Sequence, residues 1–163
     1  VTENTFEQNY FQSIVQLYRP GGYYLNNKGN GNRRNGIALI EVIGLSDLET
    51  RLRLNLGFPY LFDFYSSTVR ASSTLVIAPG VVLKFRSEPL WVFGRIESHG
   101  TAENPVIFTS VFDDSDGNDA TNDGPISQVP NIERGIEFQA GSEYSFSNTI
   151  FRYYGNKAPI ISP

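Results

Sequence analysis

Five aspartates crowd into eleven residues: DDSDGNDATND carries Asp113, Asp114, Asp116, Asp119 and Asp123. With Asn118, Asn122, Ser115 and backbone carbonyls, this stretch offers the roughly six to eight hard oxygens that Ca2+ takes. The five carboxylates are the candidate metal ligands, and Ca2+ is the candidate cofactor. The likeness to an EF-hand loop is partial, because the glycine of DSDGND comes one residue early and no glutamate closes the loop. A solvated, flexible loop is the competing reading of the same residues.

The rest of the chain offers less chemistry. If Leu90 and Val92 face a core, Trp91 and Phe93 face away from it. Outward aromatics can stack on sugar rings, so these two are the candidate ligand-binding residues. The cost of leaving large aromatics bare favours packing under a loop or against another subunit. His99 is the sole histidine and lies in the turn SHGTAENP. With no cysteine, one loop histidine does not make a nucleophilic triad. A polysaccharide lyase or hydrolase needs carboxylates or a base converging on one outward face. Lys84, Arg86, Arg95, Glu97 and Glu137 point outward by alternation, but on different faces, and no catalytic residue is assigned.

Composition bounds the frame. The chain has 163 residues, 40% hydrophobic and 13% aromatic, enough for one domain with a core. The absence of cysteine excludes a disulfide framework and thiolate metal sites. The absence of an initiator methionine reads as a processed or excised piece. No apolar run reaches a membrane span. The net charge is −4, and removing the five loop aspartates leaves −4 + 5 = +1, so the body is nearly neutral. Arg33-Arg34 sits in GNGNRRNG, an exposed turn by composition, and nothing suggests a nucleic-acid face.

Short strands must position these groups. Helical periodicity is confined to one candidate, Phe6–Tyr18, whose β-branched and aromatic content suits strands equally well. Elsewhere the pattern has period two, in runs broken by Gly, Pro, Asn and Ser. In STLVIAPGVVLKF, Pro79-Gly80 interrupts the most apolar run, as a corner between two faces would. Strands 68–71, 75–77 and 81–85 are followed, in the same order and at a nearly constant offset, by strands 90–93, 95–98 and 106–110. A triplet recurring at one offset predicts a three-sided coil that advances one strand spacing per round. On that frame 135–138, 149–153 and 158–162 supply the next three faces, and Phe112–Ile132 is an insertion at one corner. Residues 113–123 are expected to protrude.

The segments STLVIAPGVVLKF, LWVFGRIESHGTAENPVIFTS, the Asp/Gly loop and RGIEF resemble, in that order, the right-handed parallel β-helix repeats of bacterial secreted and cell-surface proteins, a pectate-lyase-like solenoid superfamily. The likeness runs from about Phe58 to Tyr154. The usual tryptophan before the GI strand is missing, and Glu133-Arg134 stands there instead. The resemblance implies an all-β, right-handed parallel β-helix of about five three-sided coils with one acidic insertion. It implies a single domain over 1–163, irregular over 1–57 and regular over 58–163 with the inserted loop 112–132, in an extracellular or cell-surface setting. The fold hosts lyases, adhesins and passive scaffolds alike.

The expected function is a non-enzymatic extracellular structural or interaction module, self-associating head to tail as a filament or forming one repeat of a larger surface protein. A carbohydrate-binding or polysaccharide-cleaving β-helix is the alternative. Phe6, Phe11, Ile160 and Ile161 are the candidate assembly residues, because APIISP followed by VTENTFEQNYF reads on as successive faces of one coil. The expected partners are other copies of the chain through the solenoid ends, or polysaccharide, without nucleic acid or membrane insertion.

Overall fold

The computed structural model describes residues 3–9, 12–17, 27–43, 49–52, 58–63, 66–124, 128–154 and 160–161. Among them every regular element is a strand and none is a helix. The strands are β1 (Thr5–Glu7), β2 (Gln12–Leu17), β3 (Lys28–Asn30), β4 (Arg34–Ile43), β5 (Glu49–Leu52), β6 (Tyr60–Phe62), β7 (Ser67–Val69) and β8 (Thr74–Ile77). They continue as β9 (Val82–Phe85), β10 (Leu90–Val92), β11 (Arg95–His99), β12 (Val106–Ser110), β13 (Ile136–Phe138), β14 (Glu143–Ser147), β15 (Thr149–Phe151) and β16 (Ile160–Ile161).

Among the described residues every pairing is parallel, and no two consecutive strands pair. Parallel neighbours need a crossover. Here the crossovers are strands of other ladders: β6 pairs with β9, β7 with β10 and β8 with β11. One ladder runs β14-β11-β8-β5, and another runs β15-β12-β9-β6-β4. The long strand β4 joins the second to a third, because its first half pairs with β2 and β6 and its second half with β7. From there the order is β7-β10-β13-β16.

The registers carry the recurrence. Leu90 lies opposite Ser67, Arg95 opposite Thr74 and Ile107 opposite Val82, so all three ladders advance by nearly the same step. The N-terminal part, expected to be irregular, keeps that step, with Thr5 opposite Lys28 and Val15 opposite Ala38. Buried asparagines stack at its corners. Asn4 donates to Oδ1 of Asn27, Asn9 to Oδ1 of Asn32, and Asn32 to Oδ1 of Asn35. Their amides satisfy buried polar groups at each bend, as burial demands. The candidate helix Phe6–Tyr18 is instead β1 and β2, as far as it is described.

Corners fall where the chain can bend. Gly80 adopts φ +74°, which a side chain would strain. It turns the chain from β8 into β9. Gly94 separates β10 from β11, and a Cβ there would drive into the carbonyl oxygens of Arg70 and Ser73.

The predicted interior residues Leu75, Ile77, Leu83, Phe85, Leu90, Val92, Ile96, Val106, Phe108, Ile136 and Phe138 are all buried in one cluster. Phe62, Phe85, Phe108 and Phe151 stack through it, with neighbouring ring centroids 4.6, 6.2 and 5.0 Å apart. The later faces are corrected. Glu143–Ser147 forms β14 beside β11, a strand the sequence reading passed over, so Thr149–Phe151 belongs to the following face and pairs with β12. Ile160–Ile161 then pairs with β13.

Candidate functional site: an acidic strap across four strands

The outward residues Ala38, Leu61, Lys84 and Thr109 form one column across β4, β6, β9 and β12. Residues on the face of a sheet turned away from its core normally meet water, yet all four are buried. The cover is residues 111–124, of which 113–123 were expected to protrude and instead lie along the column. Leu61, Val111 and Ala120 make a small apolar cluster beneath it, with Phe112 packed alongside. Positive φ at Gly117, Asn118, Asn122 and Gly124 lets so short a segment coil back on itself.

The strap is held at intervals. Near its start, Thr109 Oγ1 donates to Asp113 Oδ2 at 2.5 Å. In the middle, Lys84 Nζ donates to the backbone carbonyls of Asp113 and Asn118, both at 2.6 Å. At the far end, the backbone N–H of Asn35 donates to Ala120 O at 2.9 Å and Asn35 Nδ2 to Asp119 O at 3.0 Å. Arg152, just past β15, is paired with Asp116.

These contacts divide the five aspartates. Burial alone would raise the Asp113 carboxyl, but hydrogen bonds from Ser115 and Thr109 overturn that and hold it below its usual range. Asp113 and Asp116 are thus engaged by hydroxyls and by Arg152. Asp114, Asp119 and Asp123 converge instead, with one oxygen from each lying within 4.8 Å of the others. Asp119 accepts N–H bonds from Thr121, Asn122 and Gly124. Asp123 accepts from the Thr121 hydroxyl. Asp114 Oδ1 is buried with no donor among the described residues. Burial, then the charge of Asp119, raises the Asp114 carboxyl. A proton or a hard cation would relieve that crowding, and all-oxygen ligation suits Ca2+.

Lys84 was read as outward-pointing, and it is, but into the strap. Burial pushes its ammonium down to about 8, against the opposing pull of Asp113, Asp114, Asp119 and Asp116. Neither Lys84 nor Asn35 was singled out as a site residue. The alternation that exposed Lys84 says nothing about a cover from a distant segment, and Asn35 carries no sequence signal of its role.

The other candidates separate. Trp91 is half-buried beneath the guanidinium of Arg134, 4.9 Å from the ring centre, and Arg134 is in turn paired with Glu137. Phe93 stands 45% exposed. Arg95 pairs with Glu97 and Glu143 on the β11–β14 face, and the His99 ring lies within hydrogen-bond reach of Glu97. Phe6 is half-buried against Phe58, with ring centroids 6.1 Å apart. Phe11 and the side chains of Ile160 and Ile161 lie outside what is described.

Leu75, Ile96 and Tyr144 occupy one column across β8, β11 and β14. Leu75 and Ile96 are fully buried, whereas Tyr144 is 51% exposed. Its ring lies 5.0 Å from Phe138 and 5.4 Å from Phe146.

No family model, curated protein or solved structure matches the chain. Among the described residues no helix is long and apolar enough to cross a membrane.

Proposed function

We propose that the chain is a right-handed parallel β-helix of about five three-sided coils, acting as a non-enzymatic structural or interaction module that associates end to end. The observation that carries this is Tyr144. It holds a position that is core in the preceding rounds, next to Phe138 and Phe146, yet it opens to solvent. A further round of parallel strands, supplied by a second copy, would bury it as Ile96 buries Leu75 and would pair the outer edge of β14. Such a heterologous contact need not close, so it builds a filament. The ionic groups of the outward faces support a non-catalytic reading, because Arg95, Glu97, Arg134, Glu137 and Arg152 are spent on one another and on the strap. An extracellular or cell-surface setting comes with the resemblance to secreted β-helix repeats.

Sedimentation velocity over a wide concentration range tests the association. Concentration-dependent growth in the wild-type chain, abolished by Tyr144→Lys with unchanged circular dichroism, is the expected result. A monodisperse monomer at high concentration overturns it. Within the same reading, Asp114, Asp119 and Asp123 hold Ca2+. Millimolar calcium then raises Tm relative to chelator, by mass action on the folded state. An unchanged Tm leaves the strap metal-free.

A further inference from the structure

In a solenoid each round touches only its neighbours, so distant rounds are coupled weakly and the ends open first. The strap breaks that rule. It leaves β12 covalently, crosses β9 and β6, and hydrogen-bonds to β4 through Asn35, so one segment touches four successive strands of one ladder. Arg152 extends the reach to the end of β15. We infer that residues 111–124 are an axial staple that forces these strands to open together, with Lys84 as the latch that holds its middle down.

The geometry assigns the latch to Lys84. Its Nζ satisfies two strap carbonyls, of Asp113 and Asn118, that bracket the turn at Asp116-Gly117. Without it those carbonyls lose their buried donor, and the tie toward β4 is left to Asn35 and the small apolar cluster around Leu61. The far anchor is two bonds from a single residue, Asn35, on β4. The ionic pair of Arg152 with Asp116 is more exposed and holds the strap toward β15, away from β4. Loss of the latch therefore weakens the tie between β4 and β12 rather than the contacts of β9 with its own neighbours, whose ladder bonds and inward packing by Leu83 and Phe85 are untouched.

Region-resolved hydrogen exchange on the whole chain decides it. In the wild-type protein, the slowest amides of β4 and β12 exchange at a common rate through one opening. In Lys84→Met, which keeps the buried volume and removes the ammonium, amides of β4 exchange about 10-fold faster or more while those of β6 change less. A variant with residues 112–124 replaced by a short Gly-Ser linker shows the same separation, more strongly. Should that variant fail to fold, the Lys84→Met comparison stands alone. A merely local role for Lys84 would loosen β6 and β12, the two strands flanking β9, before β4. That order, or equal changes in β4 and β12, overturns the proposal.

Discussion

Removing a proton from Lys84 should stabilise this protein. In the unfolded chain the amine titrates near its ordinary 10.5, and burial under the strap lowers it to about 8. Between those values the unfolded chain carries a proton that the folded chain has released, so stability rises with pH across that window. Two and a half pH units at about 1.4 kcal/mol each give about 3 kcal/mol from pH 8 to 10.5. The gain does not continue. Burial holds the Tyr154 phenol neutral in the folded chain, so above pH ~10 the unfolded chain loses a proton first and stability falls again. Urea unfolding read by the single tryptophan, Trp91, at pH 7.5, 8.5 and 9.5 measures the rising part. Lys84→Met is the control, since it retains every other titrating group. The wild-type chain should gain about 2 kcal/mol relative to Lys84→Met between pH 7.5 and 9.5. Parallel pH curves for the two proteins would refute the buried, charge-bearing latch.

Other substitutions probe the core, a corner and a stack. Phe85→Ala removes a fully buried ring stacked between Phe62 and Phe108 and should cost about 3–5 kcal/mol in urea unfolding. Phe93→Ala, at a 45% exposed ring, should cost less than about 1 kcal/mol in the same assay. Gly94→Ala forces a Cβ into the Arg70 and Ser73 carbonyls and should lower Tm by the equivalent of about 1–3 kcal/mol. Arg134→Ala uncovers the Trp91 ring, so iodide quenching of the indole should rise while stability falls by about 1 kcal/mol or less.

The fold was legible where the local signal and the long-range partner coincide. Alternation at Leu75, Ile77, Leu83 and Phe85, with a Pro-Gly corner between them, specifies both the strands and the bend, and the recurrence specifies which ladder each joins. The step was also present in the N-terminal part, at Asn4 and Asn27 and at Asn9 and Asn32, but in polar residues rather than in the apolar triplets that define the other rounds. β14 hid for a related reason: EYSFS alternates, but three serines and a glutamate between Gly141 and Asn148 read as turn. The acidic segment announced its ligands and not its course. Which three aspartates converge depends on Thr109, Ser115 and Arg152 engaging the carboxylates of the other two, and Arg152 lies 36 residues from Asp116 in sequence. The cover over Trp91 likewise depends on a contact between residues 91 and 134 that no local pattern encodes.

Nuclear Overhauser contacts in the labelled, folded chain test most directly whether the parallel strands form rounds that each advance by one strand spacing. The account predicts backbone contacts from Ile96 to both Leu75 and Tyr144, and from Leu83 to both Tyr60 and Phe108, each in parallel register. Antiparallel contacts between chain-adjacent strands, such as β8 with β9 across Pro79-Gly80, would contradict it.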